Sequence, residues 1–282
     1  MRYLYLFGSM IFFPFAGTVY AQPTQEQFRA CKSETRGAKA TRAEDKIAAC
    51  SVIIDFIPLK PRTLSWTYIY RSNAYSELEN NNHALADAEE AIRVDVSNAY
   101  AWAKSCSLYN WKMNKREQAL ERCNTALKLN PKDGGAWTHR GDVYLNAKQY
   151  PEAIKDYNKA IKFAPKWMWP RINRGVAYRR SGNLALAEAD FNEAARLSPD
   201  FAMGYLERGK TRIKMQRLDE AFADFEQGMN IETLCAECFY GRGLVKYEKG
   251  DLEGASLDLA TAERLNPLSS KEFEEEGFKM PR

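Results

Sequence analysis

Residues 136–165 read "AWTHRGDVYLNAKQYPEAIKDYNKAIKFAP", and their spacing decides the fold. The first half sets Trp137, Gly141 and Tyr144 at i, i+4 and i+7, along one face of a helix. The second half does the same with Ala153, Tyr157 and Ala160, and Pro165 ends that helix. Between them "NAKQ" reads as a tight turn, so the segment is a helical hairpin with one apolar side. The pattern recurs: Gly141, Gly175, Gly209 and Gly243 stand 34 apart, and so do Ala153, Ala187, Ala221 and Ala255. One such hairpin cannot bury its apolar face alone, so successive hairpins must stack on each other.

Aligned on those marks, the segment resembles the tetratricopeptide repeat in Trp137, Gly141, Tyr144, Tyr150, Ala153, Ala160 and Pro165. The next unit matches through Gly175, Tyr178, Ala187, Phe191, Ala194 and Pro199. Two weaker units keep Gly209, Ala221 and Phe225, then Gly243, Ala255, Ala262 and Pro267. Upstream, Tyr75, Ala84 and Ala91 mark one unit, and Trp102, Tyr109, Ala119, Ala126 and Pro131 another that is one residue longer. The resemblance implies an all-α, right-handed superhelical solenoid of six hairpins, at 65–98, 99–133, 134–167, 168–201, 202–235 and 236–267. A diverged hairpin at 22–64 would cap its start, and residues 268–282 would form a C-terminal cap and tail. In that tail Ser269 and Glu272 read as a capping box before a short acidic helix.

Comparing the units with one another exposes a second register. Arg71, Arg140, Arg174, Arg208 and Arg242 are each followed sixteen residues on by an aspartate: Asp87, Asp156, Asp190, Asp224 and Asp258. The midpoint of 140 and 156 is Lys148, inside the turn, so each pair lies level across its hairpin and is expected to form an Arg–Asp fork. The unit at 99–133 has Ser105 and Arg122 in those places, but Cys106 and Cys123 stand one position further along each helix. They are expected to form a disulfide staple. The same register sets Cys50 where Cys123 stands and Cys31 opposite it, a second staple. Cys235 and Cys238 form C-A-E-C, read either as a local disulfide or as a redox-active dithiol, although the βαβ context of the redox motif is missing.

The chain opens with one Arg, an apolar run and a V-x-A triplet ending at Ala21, which reads as a signal peptide cleaved after that residue. A permanent anchor is the alternative, against which stand the short run and Pro14. Six cysteines, an even set, suit an exported chain. A net charge of +4 argues for neither nucleic acid nor an anionic membrane as main partner, and membrane contact is expected to be indirect only. His83 and His139, the two histidines, sit in different units rather than at ligand spacing, so no metal is expected. No G-x-S-x-G, H-E-x-x-H or P-loop pattern occurs. Neither an enzyme, a cofactor nor a small-molecule substrate is expected.

What the resemblance implies instead is binding. First helices of successive repeats line a concave face that holds an extended peptide or a partner helix. The positions carried over include Asn73, Ser76 and Glu77, then Ser107, Asn110 and Trp111, then Thr138, Asp142 and Asn146. Later units supply Ile172, Val176, Arg179 and Arg180, then Leu206, Lys210 and Lys214, then Tyr240, Leu244, Tyr247 and Glu248. Arg179, Arg180, Lys210 and Lys214, with Trp169, Tyr240 and Tyr247 nearby, suit an acidic or carboxylate-bearing peptide, the bland alternative being ordinary solvated charge. Asn73 matches one position of the carboxylate clamp found in chaperone-tail binders, but Gly135 and His139 stand where basic residues belong. In "KWMWP" (166–170) the tryptophans either seal the core between units or leave Trp169 as an exposed anchor. The expectation is a periplasmic protein-binding adaptor. A structural subunit of an envelope or secretion assembly and a thiol-redox accessory protein are the alternatives.

Overall fold

The computed structural model describes residues 24–32, 42–111 and 115–278. The expected signal peptide (1–21) and much of the expected turn between Cys31 and Cys50 lie outside them. The chain is all-α, with fifteen helices among the described residues. It divides into two compact units, Met1–Pro131 and Lys132–Arg282.

The first unit contains α1 (Gln25–Lys32), α2 (Ala43–Phe56), α3 (Pro61–Glu77), α4 (Asn81–Val94), α5 (Ala99–Trp111) and α6 (Arg116–Leu129). They pack as three hairpins, α1 on α2, α3 on α4 and α5 on α6, each leaning on the next. The second unit contains α7 (Gly134–Asn146), α8 (Tyr150–Phe163), α9 (Trp169–Arg180), α10 (Leu184–Leu197), α11 (Ala202–Lys214), α12 (Leu218–Ile231), α13 (Ala236–Glu248), α14 (Leu252–Leu265) and the short α15 (Ser269–Glu275). Here four hairpins stack in sequence, and α15 returns to pack on α13 and α14. Within this unit α7 touches α9, α9 touches α11, and α11 touches α13, whereas no such contact joins consecutive second helices among the described residues. The first helices are therefore the crowded, inner layer.

Local chemistry explains the hairpins. Five of the described hairpin turns end the first helix with a residue in the left-handed region: Glu79, Lys148, Gly182, Gln216 and Gly250, the last four 34 apart. The next N–H then reaches back to the carbonyl five residues earlier, as from Asn80 to Tyr75, Gln149 to Tyr144, Asn183 to Tyr178, Arg217 to Arg212 and Asp251 to Lys246, all at 2.8–2.9 Å. That bond satisfies a carbonyl the helix end would otherwise orphan. Inside the hairpins Tyr157, Phe191 and Phe225 are fully buried against alanines at the helix crossings. The aromatic ring is admitted by the glycine opposite. A Cβ on Gly141 would lie 2.6 Å from Tyr157, and one on Gly209 2.8 Å from Phe225.

The C-terminal segment departs from expectation in one respect. Leu268, not Ser269, is the N-cap of α15, and it makes no side-chain cap hydrogen bond. Ser269 is already inside the helix and buried, so the expected capping box does not form at that residue.

Candidate functional site

The Arg–Asp register becomes a two-pronged ion pair in each of the five hairpins that carry it. Arg71 donates to Asp87 at 2.8 and 2.7 Å, Arg140 to Asp156 at 2.7 and 2.9 Å, and Arg174 to Asp190 at 2.8 and 2.5 Å. Arg208 donates to Asp224 at 3.1 and 2.5 Å, and Arg242 to Asp258 at 2.7 and 2.7 Å. A planar guanidinium presents such paired donors, which an ammonium does not.

Sequence reasoning missed a third prong. Nη1 of Arg174 also reaches Asn158, that of Arg208 reaches Asn192 at 2.8 Å, and that of Arg242 approaches Glu226 at 3.6 Å. Each partner stands sixteen residues before its arginine, on the second helix of the preceding hairpin, so one side chain clasps three helices. The polar residue recurring at that offset was the available signal. Where the fork is absent, the charges are inverted: Glu89 of α4 accepts from Ser105 at 2.6 Å and from Arg122 at 3.0 Å.

Disulfides join Cys31 to Cys50 across α1 and α2, and Cys106 to Cys123 across α5 and α6. A third joins Cys235 to Cys238 in the first turn of α13, where the Cys235 sulfur accepts from the Cys238 N–H at 3.2 Å. Both sulfurs of this third bridge sit in the core beside Leu206, Phe225 and Phe273. Gly228 of α12 makes room for them, since a Cβ there would lie 2.7 Å from the Cys238 sulfur. A redox partner would find no exposed sulfur on the described surface.

The basic cluster comes together as expected, but it is not open. Arg179 (2 % exposed) and Lys210 (3 % exposed) are buried beneath α15 and the residues from Glu276 to Phe278. Arg179 donates to Glu207 at 2.5 Å and, from Nε, to Glu276 at 2.9 Å; Lys210 donates to Glu207 at 3.0 Å. Arg180 reaches the other Glu276 oxygen at 3.3 Å, and Lys214 donates to the Glu276 carbonyl at 2.7 Å. Burial alone would raise the Glu207 carboxyl, but Arg179 and Lys210 beside it outweigh that and hold it well below the ordinary carboxylate range. Burial, seconded by Arg179, lowers the Lys214 ammonium against the pull of Glu276.

The tail brings aromatic rings as well. Phe273 is fully buried, 4.9 Å between centroids from Tyr240 and 5.4 Å from Phe278. The Lys210 ammonium lies 4.7 Å over Phe273, and that of Lys214 4.4 Å over Phe278, both within cation–π range. A polar pocket of about 350 Å³ remains at the margin, lined by Lys148, Tyr150, Arg179, Arg180, Lys214, Glu275 and Glu276.

The expected free trough of Arg179, Lys210 and Tyr240 is thus corrected: in the second unit these residues are covered by the chain's own end. Tyr247 is only half-buried and lines, with Tyr240, Leu252 and Leu259, a separate cleft of about 630 Å³ beside α14 and α15. Trp169 is 37 % exposed and stands edge-on to Phe201 at 5.3 Å, at the rim rather than on the floor. Asn73 is half-buried on α3 of the first unit, while Arg179, Arg180, Lys210, Lys214, Trp169, Tyr240 and Tyr247 all belong to the second. The Trp111 side chain lies outside the description.

Stacked hairpins with an inner layer of first helices and a clasp repeated every 34 residues define a helical-repeat scaffold. Comparison with known proteins makes this specific. Tetratricopeptide repeats are matched at residues 135–166 and 172–230, and a protein prenyltransferase alpha subunit repeat at 116–147. The chain thus carries tetratricopeptide repeats within residues 135–230, and such repeats are generally non-catalytic scaffolds that mediate protein–protein interaction. Similar solved structures include pilF of Pseudomonas aeruginosa (20 % identity, 77 % of this chain and 99 % of that one, TM-score 0.63). PilW, a widely conserved type IV pilus biogenesis factor, is similar over 75 % of this chain and 97 % of its own (20 % identity, TM-score 0.65). YrrB, a tetratricopeptide repeat protein with an unusual peptide-binding site, is similar over 67 % and 97 % (22 % identity, TM-score 0.50). At these identities the likeness is one of fold. No curated protein matches the chain.

Proposed function

We propose that this chain is an exported adaptor that holds a partner protein against the inner layer of its repeats, the second unit taking an acidic, carboxylate-bearing segment. The observation that carries the reading is the floor made by Arg179, Arg180, Lys210 and Lys214, which already grips one carboxylate and its flanking rings. On this reading the repeats between 65 and 267 carry the binding surface, 22–64 caps their start, and the signal at 1–21 directs export. Three disulfides fit an oxidising compartment outside the cytosol, and a periplasmic site follows if the signal is cleaved after Ala21. The fold of pilus biogenesis factors fits the same setting.

A second reading, a structural subunit of an envelope assembly, is favoured by a different observation. Leu252, Leu257 and Leu268 are exposed on the last hairpin and its exit, where Leu252 also lines the larger cleft. Photo-crosslinkers at Arg180 and at Leu257, used in cells, separate the two. A defined partner attached at Arg180 supports the adaptor. Attachment at Leu257 alone removes it in favour of the assembly subunit.

A further inference from the structure

The floor of the second unit is charge-unbalanced without its tail. Take α15 and Glu276 away and Glu207 is left as the carboxylate facing Arg179 and Lys210, with Arg180 and Lys214 beside them. Asp142, the nearest acidic group on α7, is engaged elsewhere, accepting from Tyr157 at 2.8 Å and from Asn173 at 2.7 Å. Buried cations in such surplus demand a carboxylate. The tail meets that demand with three groups in a fixed order: Phe273 under Lys210, Glu276 on Arg179 and Arg180, and Phe278 under Lys214.

These contacts are those of a bound ligand rather than of a repeat. Phe273 and Phe278 follow neither the 34-residue period nor a fork register, and they reach a floor built by α9, α11 and α13. Along an otherwise acidic run, "KEFEEEGF" (271–278), the two rings and the Glu276 carboxylate turn inward, while Glu274 and Glu275 are exposed.

We infer that α15 and the residues following it as far as Phe278 are an internal ligand, and that the partner taken by this floor carries the same pattern: an aromatic residue, a glutamate three positions on, and a second aromatic two beyond it. The partner segment and the tail compete for one seat. This rests on the adaptor reading and names its partner's chemistry.

The test uses the full chain and a fluorescein-labelled peptide of residues 268–278, LSSKEFEEEGF, read by anisotropy. Full-length protein with Phe273→Ala and Phe278→Ala together frees the floor, and it is expected to bind the peptide at least about tenfold more tightly than wild type. Adding Arg180→Glu and Lys214→Glu to the freed chain reverses that gain, and a scrambled peptide does not bind. Should the double phenylalanine variant lose its cooperative thermal unfolding, Glu276→Gln alone serves the same purpose and is expected to bind the peptide several-fold more tightly than wild type. A freed chain that unfolds cooperatively yet binds no better than wild type, or takes the scrambled peptide equally well, overturns the inference. If the Arg180 crosslinker still captures a partner equally in wild-type and freed chains while the peptide fails to bind, the inference falls and the adaptor stands. Capture by neither chain removes the adaptor reading itself.

Discussion

Arg179 and Glu276 stand 97 residues apart in the chain, and Nη2 of the one lies 2.6 Å from a carboxylate oxygen of the other. The Arg179 side chain has no solvent contact, and the carboxylates of Glu207 and Glu276 balance its charge. Removing one partner of a buried pair strands the rest. Arg179→Ala leaves Glu207 with Lys210 alone and Glu276 with Arg180 alone, and is expected to cost about 3–5 kcal/mol. Glu276→Ala leaves Arg179 with Glu207 and is expected to cost less, about 1.5–3 kcal/mol. Urea unfolding of both variants measures the difference. An Arg179→Ala loss smaller than that of Glu276→Ala would mean the guanidinium is not the hub.

The same cluster sets an acid limit. Because Arg179 and Lys210 overcome the effect of burial, Glu207 in the folded protein holds its proton less readily than in the unfolded chain. Its contribution is therefore complete above the ordinary value of 4.5 and is lost progressively as pH falls below it. Asp258 moves in the same direction, burial again being outweighed, here by Arg242 and Lys246. Glu207→Gln is expected to be less stable than wild type at neutral pH and to lose less on acidification. Melting temperatures taken from about pH 6 to pH 3 check both, and parallel curves for the two proteins would contradict the assignment.

How far the sequence could be read follows from which contacts are local. Arg140 and Asp156 lie symmetrically about Lys148, so a hairpin alone brings them level, and the 34-residue repeat supplies five independent copies of the clue. Cys106 and Cys123 could be placed by the same register. The tail offers no copy to compare. Phe273 and Glu276 act on α9, α11 and α13 from a segment outside the period, and an acidic run at a chain end reads on its own as solvated surface. Its one usable hint was complementarity: four cations clustered at 179, 180, 210 and 214, and two phenylalanines set among glutamates. The clasp from Arg208 to Asn192 repeats the same offset of sixteen counted backward, but it crosses to the preceding hairpin, so the symmetry of one hairpin does not reveal it.

Turn geometry yields a prediction of opposite sign. Gln216 has φ of +60°, a left-handed conformation that side chains with a Cβ adopt at a cost of about 1–2 kcal/mol, while Gly182 and Gly250 occupy the same place freely. Gln216→Gly is therefore expected to stabilise the second unit by somewhat under that amount, because glycine also gains freedom when unfolded. Gly182→Ala should destabilise it comparably. Chemical denaturation resolves both signs, and a loss of stability in Gln216→Gly would show that the side chain earns its strained seat.

The staple and the fork occupy equivalent places, which allows their worth to be compared within one unit. The bridge from Cys106 to Cys123 closes a separation of 17 residues, for which chain-entropy arguments give about 3 kcal/mol. The fork from Arg71 to Asp87 is largely shielded from solvent, and replacing both of its members with apolar residues of similar volume is expected to be near neutral, within about 1 kcal/mol. Cys106→Ala with Cys123→Ala should therefore lower the urea midpoint of the first unit far more than Arg71→Met with Asp87→Leu. The comparison is sharpened by Glu89, which takes up Ser105 and Arg122 on the neighbouring hairpin and so leaves the disulfide, with the Arg122 guanidinium 5.0 Å over the Trp102 ring, to tie α5 to α6 at that level. If the two double variants unfold at the same urea concentration, the covalent bond adds nothing that a polar clasp does not, and its presence at that one hairpin would need a reason other than stability.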